Sequence, residues 1–370
     1  MHNSFFAATA AATLAFTLSP SVFAQTAPSS RQYAQTNLVS DLSGNAAVTD
    51  INLRDAWGIS RSSTGDWWIS DNVSGLSTLY SGTTGAIAPL VVSIPTADAS
   101  ANPNGSPTGT VFNGTGEFAV APGKPAIFLF ATQDGTISGW NPGVNPTKAI
   151  IAVKEKGSSY FGLTMAQVEH NGVSASYLYV ADFGKKRIAV FDTNFKHVNE
   201  IERKINSNWL PEDFAPFNIQ NLGGNLYVAI AKKGADGNEV HAAGLGVVAA
   251  LSPEGKLIGT TETGAFFNAP WGLAIAPSDF GAYSHDLLVG NFGSGTILAF
   301  DPVTGKFKGE LLDGSGKKLV IPGLWALSVG NGTESGGPAT SVFFSAGPNN
   351  EQDGLFGSLS ALSNPLGNGQ

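Results

Sequence analysis

Apolar and polar positions alternate along this chain in short, regularly spaced bursts. The stretch 135–140 (GTISGW) is answered by 295–300 (GTILAF), and related stretches stand at 75–80 (GLSTLY), 187–191 (RIAVF), 246–251 (GVVAAL) and 354–359 (GLFGSL). A period of two marks a pleated strand with one set of side chains turned toward a neighbouring sheet. Ten to twenty residues before most copies lies a continuous apolar run, such as 126–130 (AIFLF), 177–181 (YLYVA), 226–230 (LYVAI) and 287–289 (LLV), which predicts a strand buried on both faces. Farther upstream a third element recurs at 57–59 (WGI), 161–163 (FGL), 217–219 (FNI), 271–273 (WGL) and 325–327 (WAL), with a degenerate copy at 108–110 (TGT). Trp57 and Trp325 lie five periods apart, so the repeat averages about 54 residues.

The turn after the third strand also recurs, at 140–143 (WNPG), 252–255 (SPEG) and 301–305 (DPVTG). Proline presets the turn's second position and glycine accepts positive φ, so these are hairpins leading into a fourth, more polar strand such as 307–311 (FKGEL). Four antiparallel strands repeated six times predict an all-β fold, a six-bladed β-propeller. A parallel β-helix, the main alternative, has much shorter repeats. After the sixth third strand too few residues remain for a fourth. The orphan strand 36–42 (TNLVSDL) is therefore expected to complete the last blade and close the ring. The recurrent Trp57, Trp271 and Trp325 are expected to pack between blades. The expected division is a signal peptide at 1–24, a flexible 25–35, one propeller domain at 36–362 and a flexible 363–370.

Composition narrows the class. Charged residues make up only 13% of the 370, and 46 glycines with 20 prolines supply frequent reversals. A net charge of −8 opposes a nucleic-acid role, and the cluster Lys185, Lys186 and Arg187 reads as a solvated turn. The first 24 residues carry no Lys, Arg, Asp or Glu and end in Val22, Phe23 and Ala24, which predicts cleavage after Ala24 and a secreted or periplasmic protein. No later apolar run is long enough to span a bilayer. Without cysteine the chain has no disulfides or thiol chemistry, and a monomer is expected.

The stretches 37–42 (NLVSDL), 55–59 (DAWGI), 68–80 (WISDNVSGLSTLY), 268–273 (NAPWGL) and 288–293 (LVGNFG) resemble a family of secreted bacterial and fungal propeller proteins of unassigned function. More distantly, the blade pattern is similar to NHL-type six-bladed propellers, a group that includes calcium-dependent lactonases and esterases. The first resemblance implies fold and export and supplies no catalytic residues.

Function on such a fold is built where the loops after the second strands and before the first strands surround the central channel. The candidate ligand-binding residues there are Asp71, Asn72, Asp134, Asp182, Asn291 and Asn349. Oxygens of Asp55, Asp182, Asn218, Asn268 and Asn291 could instead converge on Ca²⁺, which takes six to eight hard ligands. Asp and Asn equally serve as turn residues. An insertion at 232–243 in the fourth repeat is a candidate lid and carries His241, the candidate general base. His170, His197 and His285 fall on other surfaces. No Gly-x-Ser-x-Gly, Walker, His-Glu-x-x-His or EF-hand motif is present. The leading expectation is an exported propeller that binds a small molecule, glycan or protein at the channel face. A Ca²⁺-dependent hydrolase or lactonase, or a structural envelope or matrix protein, are the alternatives.

Overall fold

Six antiparallel sheets follow one another around an axis in a computed structural model that describes residues 30–100, 104–170, 173–207 and 209–363. The proposed signal peptide at 1–24 and the tail from 364 lie outside the described residues. From the axis outward, blade 1 runs Ala56–Ser60, Trp67–Asp71, Leu76–Tyr80 and Val92–Ser93. Blade 2 runs Pro107–Phe112, Phe128–Thr132, Thr136–Trp140 and Ile150–Lys154. Blade 4 runs Phe214–Leu222, Asn225–Lys232, Val247–Leu251 and Leu257–Thr260, and blade 5 runs Pro270–Ile275, Leu287–Asn291, Ile297–Phe300 and Phe307–Glu310. All six expected third strands are present.

The ring closes as the sequence predicts. In blade 6, Leu324–Val329, Val342–Ala346 and Leu355–Ala361 are followed by the N-terminal strand Tyr33–Ser40, antiparallel to the last strand from Tyr33↔Ala361 to Ser40↔Leu355. Pairing begins inside the segment expected to be flexible. The reason is Tyr33, whose ring is buried against Phe280 and whose hydroxyl donates to the Phe280 carbonyl at 3.0 Å.

Blade 3 departs from the four-strand pattern. It has Tyr160–His170, Val173–Asp182 and Arg187–Phe191, and then a short helix, α1 (Asn199–Ile205), where a fourth strand was expected. Ile201 and Ile205 sit one turn apart and bury one side of the helix. An exposed strand edge must still satisfy its backbone. Here side chains do what a strand would: Asn206 accepts from the Ile188 N–H at 2.8 Å and donates to the Ile188 carbonyl at 2.9 Å, while Glu202 accepts from the Val190 N–H at 2.9 Å.

Nor is the basic cluster at 185–187 merely solvated. Arg187 reaches Glu155 at 2.5 Å, Asp182 at 3.3 Å and Glu202 at 3.3 Å, and Lys185 reaches Glu155. His197 bridges Glu155 and Glu202. This network pins α1 to the ends of blades 2 and 3. Burial opposes ionisation of Glu155, but Lys185, Tyr160, Arg187 and His197 outweigh it and hold that carboxyl at about 2.

At the axis the inner strands approach closely, and four of the six carry glycine at the contact, Gly58, Gly109, Gly162 and Gly272. A Cβ on Gly58 would lie 2.5 Å from the Thr108 carbonyl, and one on Gly272 would lie 2.7 Å from the Trp325 carbonyl. In blade 4 the corresponding Asn218 uses its amide to reach the Trp271 carbonyl at 2.9 Å. The residues just before these positions are Trp57, Thr108, Phe161, Phe217, Trp271 and Trp325. The three tryptophans do not pack between blades as expected. They meet across the axis, with Trp57 stacked on Trp325 at 3.6 Å and Trp271 edge-on to both. Phe161 joins Trp57, and Phe217 and Phe292 join Trp325. Large aromatic side chains on five of six inner strands have nowhere else to go, so the bore is filled with rings.

Candidate functional site

Asp55 lies directly above this aromatic plug. It precedes the first inner strand with φ of 51°, a left-handed conformation that aspartate tolerates better than most residues. The carboxylate is buried, with one oxygen accepting from the Trp57 indole at 2.7 Å and the other from the Trp325 indole at 3.1 Å. Burial, and next the charge of Glu351, push its carboxyl well above the usual range against the pull of these two donors.

Glu351 reaches this place through an unusual turn. Asn349, Asn350 and Glu351 all have positive φ, at 54°, 53° and 63°. Consecutive left-handed residues without glycine are sterically unfavourable, and strain of this kind gathers at functional sites. Burial raises the Glu351 carboxyl, Glu239 raises it further, and His241 opposes both. His241, in the blade 4 insertion, packs edge-on against Phe292 at 5.1 Å and lies 3.1 Å from Glu239. The Glu239 hydrogen bond raises the His241 imidazole above its ordinary value, with Glu239 and Glu351 adding to it against burial. Blades 1, 4 and 6 therefore bring Asp55, Glu239, His241 and Glu351 together over the plug.

The other candidates are placed differently. Asp182 accepts from Ser158, from the Ser159 and Lys185 N–H groups and from Arg187. Asn291 accepts from the Asn268 N–H and donates to the Phe266 carbonyl and Thr296. Asn218 is buried between blades 4 and 5. These three are occupied with holding turns and inner strands. Asp134 binds Thr96, the Ala97 N–H and Thr132, and Asn72 spans to the Pro107 carbonyl and Gln133. Asn349 donates to Asp353. Asp71 is fully buried, with one oxygen on Thr78 at 2.9 Å and the other without a protein partner, and Asn268 has an unpartnered amide oxygen. The oxygens of Asp55, Asp182, Asn218 and Asn291 are already taken by protein donors, and of the five proposed calcium ligands Asn268 alone has an unpartnered oxygen. Among the described residues no three His, Asp or Glu side chains gather where they could hold a metal ion. That donor set does not fit a Ca²⁺ site.

Glu351 and Glu239 were missed in the sequence. Both sit beside residues that were singled out, Asn349 and His241, yet a lone carboxylate in a loop carries no spacing signal. A cavity of about 280 Å³ opens at the opposite end of the axis from this cluster, among Gln220–Gly223, Leu273–Ile275 and Leu327–Val329. Among the described residues no helix is long and apolar enough to cross a membrane.

No protein-family model matches the chain. Two proteins of Acanthamoeba polyphaga mimivirus do: uncharacterized protein R648, 30% identical over 331 residues covering 87% of this chain and 78% of that protein, and uncharacterized protein L690, 31% identical over 337 residues covering 87% and 84%. The chain belongs to their family. These members are viral, so they do not carry the bacterial and fungal setting of the resemblance. Among solved structures it is similar to a glucose dehydrogenase, with a TM-score of 0.52 at 13% identity covering 89% of this chain and all of that one. It is also similar to streptogramin B lyase, with a TM-score of 0.50 at 12% identity covering 89% and 97%. At such identities the likeness concerns the propeller fold alone.

Proposed function

We propose that this protein is a binding propeller whose partner lies across the face formed by Asp55, Glu239, His241 and Glu351. The observation that carries this reading is the convergence of two loops from different blades, the 232–243 insertion and the left-handed turn at 349–351, over one buried carboxylate. Among the described residues the aromatic rings fill the bore beneath this face, whereas small-ligand sites are normally concave. A glycan or protein segment that rests on the rim suits the geometry better. The uncharged, apolar segment 1–24 supports export, and N-terminal sequencing of the protein recovered from outside the producing cell tests that.

An enzymatic reading rests on a different feature of the same cluster. His241 and Glu351 are both raised above their ordinary values and lie in one cluster, an arrangement suited to proton transfer. It requires no metal, and a chelator is expected to leave both melting temperature and any activity unchanged.

The two readings are separated with a His241→Ala, Glu351→Gln double variant, which spares the turn-holding residues. Glycan arrays and peptide libraries are screened against wild type, with hits confirmed by calorimetry. The binding reading expects hits that the double variant loses by tenfold or more. Hits that bind the double variant with wild-type affinity overturn it.

A further inference from the structure

Ser70, Ser77, Thr110, Thr136 and Ser138 are all buried; the hydroxyls of Ser70, Ser77, Thr110 and Ser138 have no hydrogen-bonding partner in the protein, and that of Thr136 faces only the Asp134 carboxylate. All five belong to one place. Ser70 pairs with Ser77 across blade 1, on the face that carries Trp68, and Trp68 stacks on Phe128 of blade 2 at 4.1 Å. Across blade 2, Thr110 and Ser138 flank Phe130 in register, and Thr136 follows on the same face by alternation. The five hydroxyls therefore line the inner half of the interface between blades 1 and 2.

The remaining blades show how unusual this is. The position of Ser77 is held by Ile137, Ile188, Val248, Ile297 and Phe356 in the other five, as the strand registers establish. That of Thr110 is held by Ile59, Leu163, Ile219, Leu273 and Leu327. Two large apolar side chains are thus replaced by small hydroxyl-bearing ones at the same interface. A buried hydroxyl without a partner is unfavourable, and native proteins satisfy such groups with ordered water where the site is polar and has room.

We propose that this seam is a binding site for a small cluster of ordered water molecules that link the five hydroxyls and take the place of the apolar packing used elsewhere in the ring. The seam is buried. Trp68, Phe128 and Trp140 cover its outer side, Phe130 stands between Thr110 and Ser138, and the Asn72–Gln133 bridge crosses above it. The waters are therefore expected to exchange slowly.

The test is a sign of change in melting temperature. Thr110→Val and Ser77→Ala remove hydroxyls with almost no change of shape. If the hydroxyls hold water, the double variant strands those waters and Tm falls by a few degrees. If the hydroxyls are dry, apolar replacement relieves them and Tm rises or stays level, which overturns the proposal. Should the variant fail to fold, wild-type protein decides it. Oxygen-17 relaxation dispersion is expected to count at least two long-lived internal waters, and a crystal structure at atomic resolution is expected to place them between these side chains. A seam closed by direct protein contacts, without density for water, refutes the inference.

Discussion

Replacing Asp55 with alanine removes the acceptor for two buried indole N–H groups at once. Each stranded donor is unfavourable by about 1–3 kcal/mol, and alanine at φ of 51° adds roughly 1–2 kcal/mol. Loss of a buried carboxyl returns part of this, leaving a net destabilisation of roughly 2–4 kcal/mol. A ring of roughly 330 ordered residues, at about 2 cal/mol/K per residue, shifts by about 1.5 °C per kcal/mol, so Tm should fall by roughly 3–6 °C. Asp55→Gly relieves the backbone but not the indoles, and should lie about 1 kcal/mol above the alanine variant. Asp55→Asn keeps one acceptor for two donors and should lose about half as much. The assay is thermal unfolding followed by near-UV circular dichroism, which reads the Trp57–Trp325 stack directly. Because the folded carboxyl is raised, the native state holds its proton more tightly than the unfolded chain. This group's contribution is therefore full below the unfolded value near pH 4 and declines as pH rises toward the folded one, a slope that Asp55→Asn should flatten. An alanine variant that melts within a degree of wild type with an unchanged near-UV spectrum would show that the plug does not depend on this carboxylate.

The Glu155 network should titrate with the opposite sign. Its carboxyl is depressed to about 2, so its stabilisation is present above the unfolded value near pH 4.5 and is lost as pH falls toward 2. Solvent screening limits this to about 1 kcal/mol, measured as Tm against pH, and a Glu155→Gln variant with an unaltered acid limb would count against it. Arg187→Met leaves Glu155, Asp182 and Glu202 without their shared cation and should lower Tm by roughly 1.5–4 °C at neutral pH, with helical dichroism from α1 reduced. Deleting residues through 41 strips Tyr33, Leu38 and Val39 from the core, roughly 1.5–3 kcal/mol each, and leaves Leu355–Ala361 as an open edge. Such a protein should melt about 7–13 °C lower and aggregate on light scattering; a monomeric product with wild-type melting contradicts the closure.

The repeat was legible because strands betray themselves locally. The third-strand pattern, the paired apolar run and the turn prolines each identify an element without reference to its neighbours, and the shortage of residues after 362 pointed to the N-terminal strand as the latch. Blade 3 was not legible in the same way. Seven residues of NEIERKI are too short to show a helical period, and only Ile201 and Ile205 mark the buried side. The role of Trp57, Trp271 and Trp325 depends on the radius of the closed ring, which no single repeat encodes. His241 was noticed because it sits in an insertion. Glu351, whose charge acts on it, arrives from the far end of the sequence, and only the closed ring brings the two together.

Closure by the amino-terminal strand also sets an order of events during synthesis. The first strand to leave the ribosome must wait for nearly the last, since Tyr33 pairs with Ala361. Until then every completed blade is part of an open arc with two sticky flanks, a state exposed to misassembly. The native ring can form only after Leu355–Ala361 has been made, so the blades before it fold without their final latch.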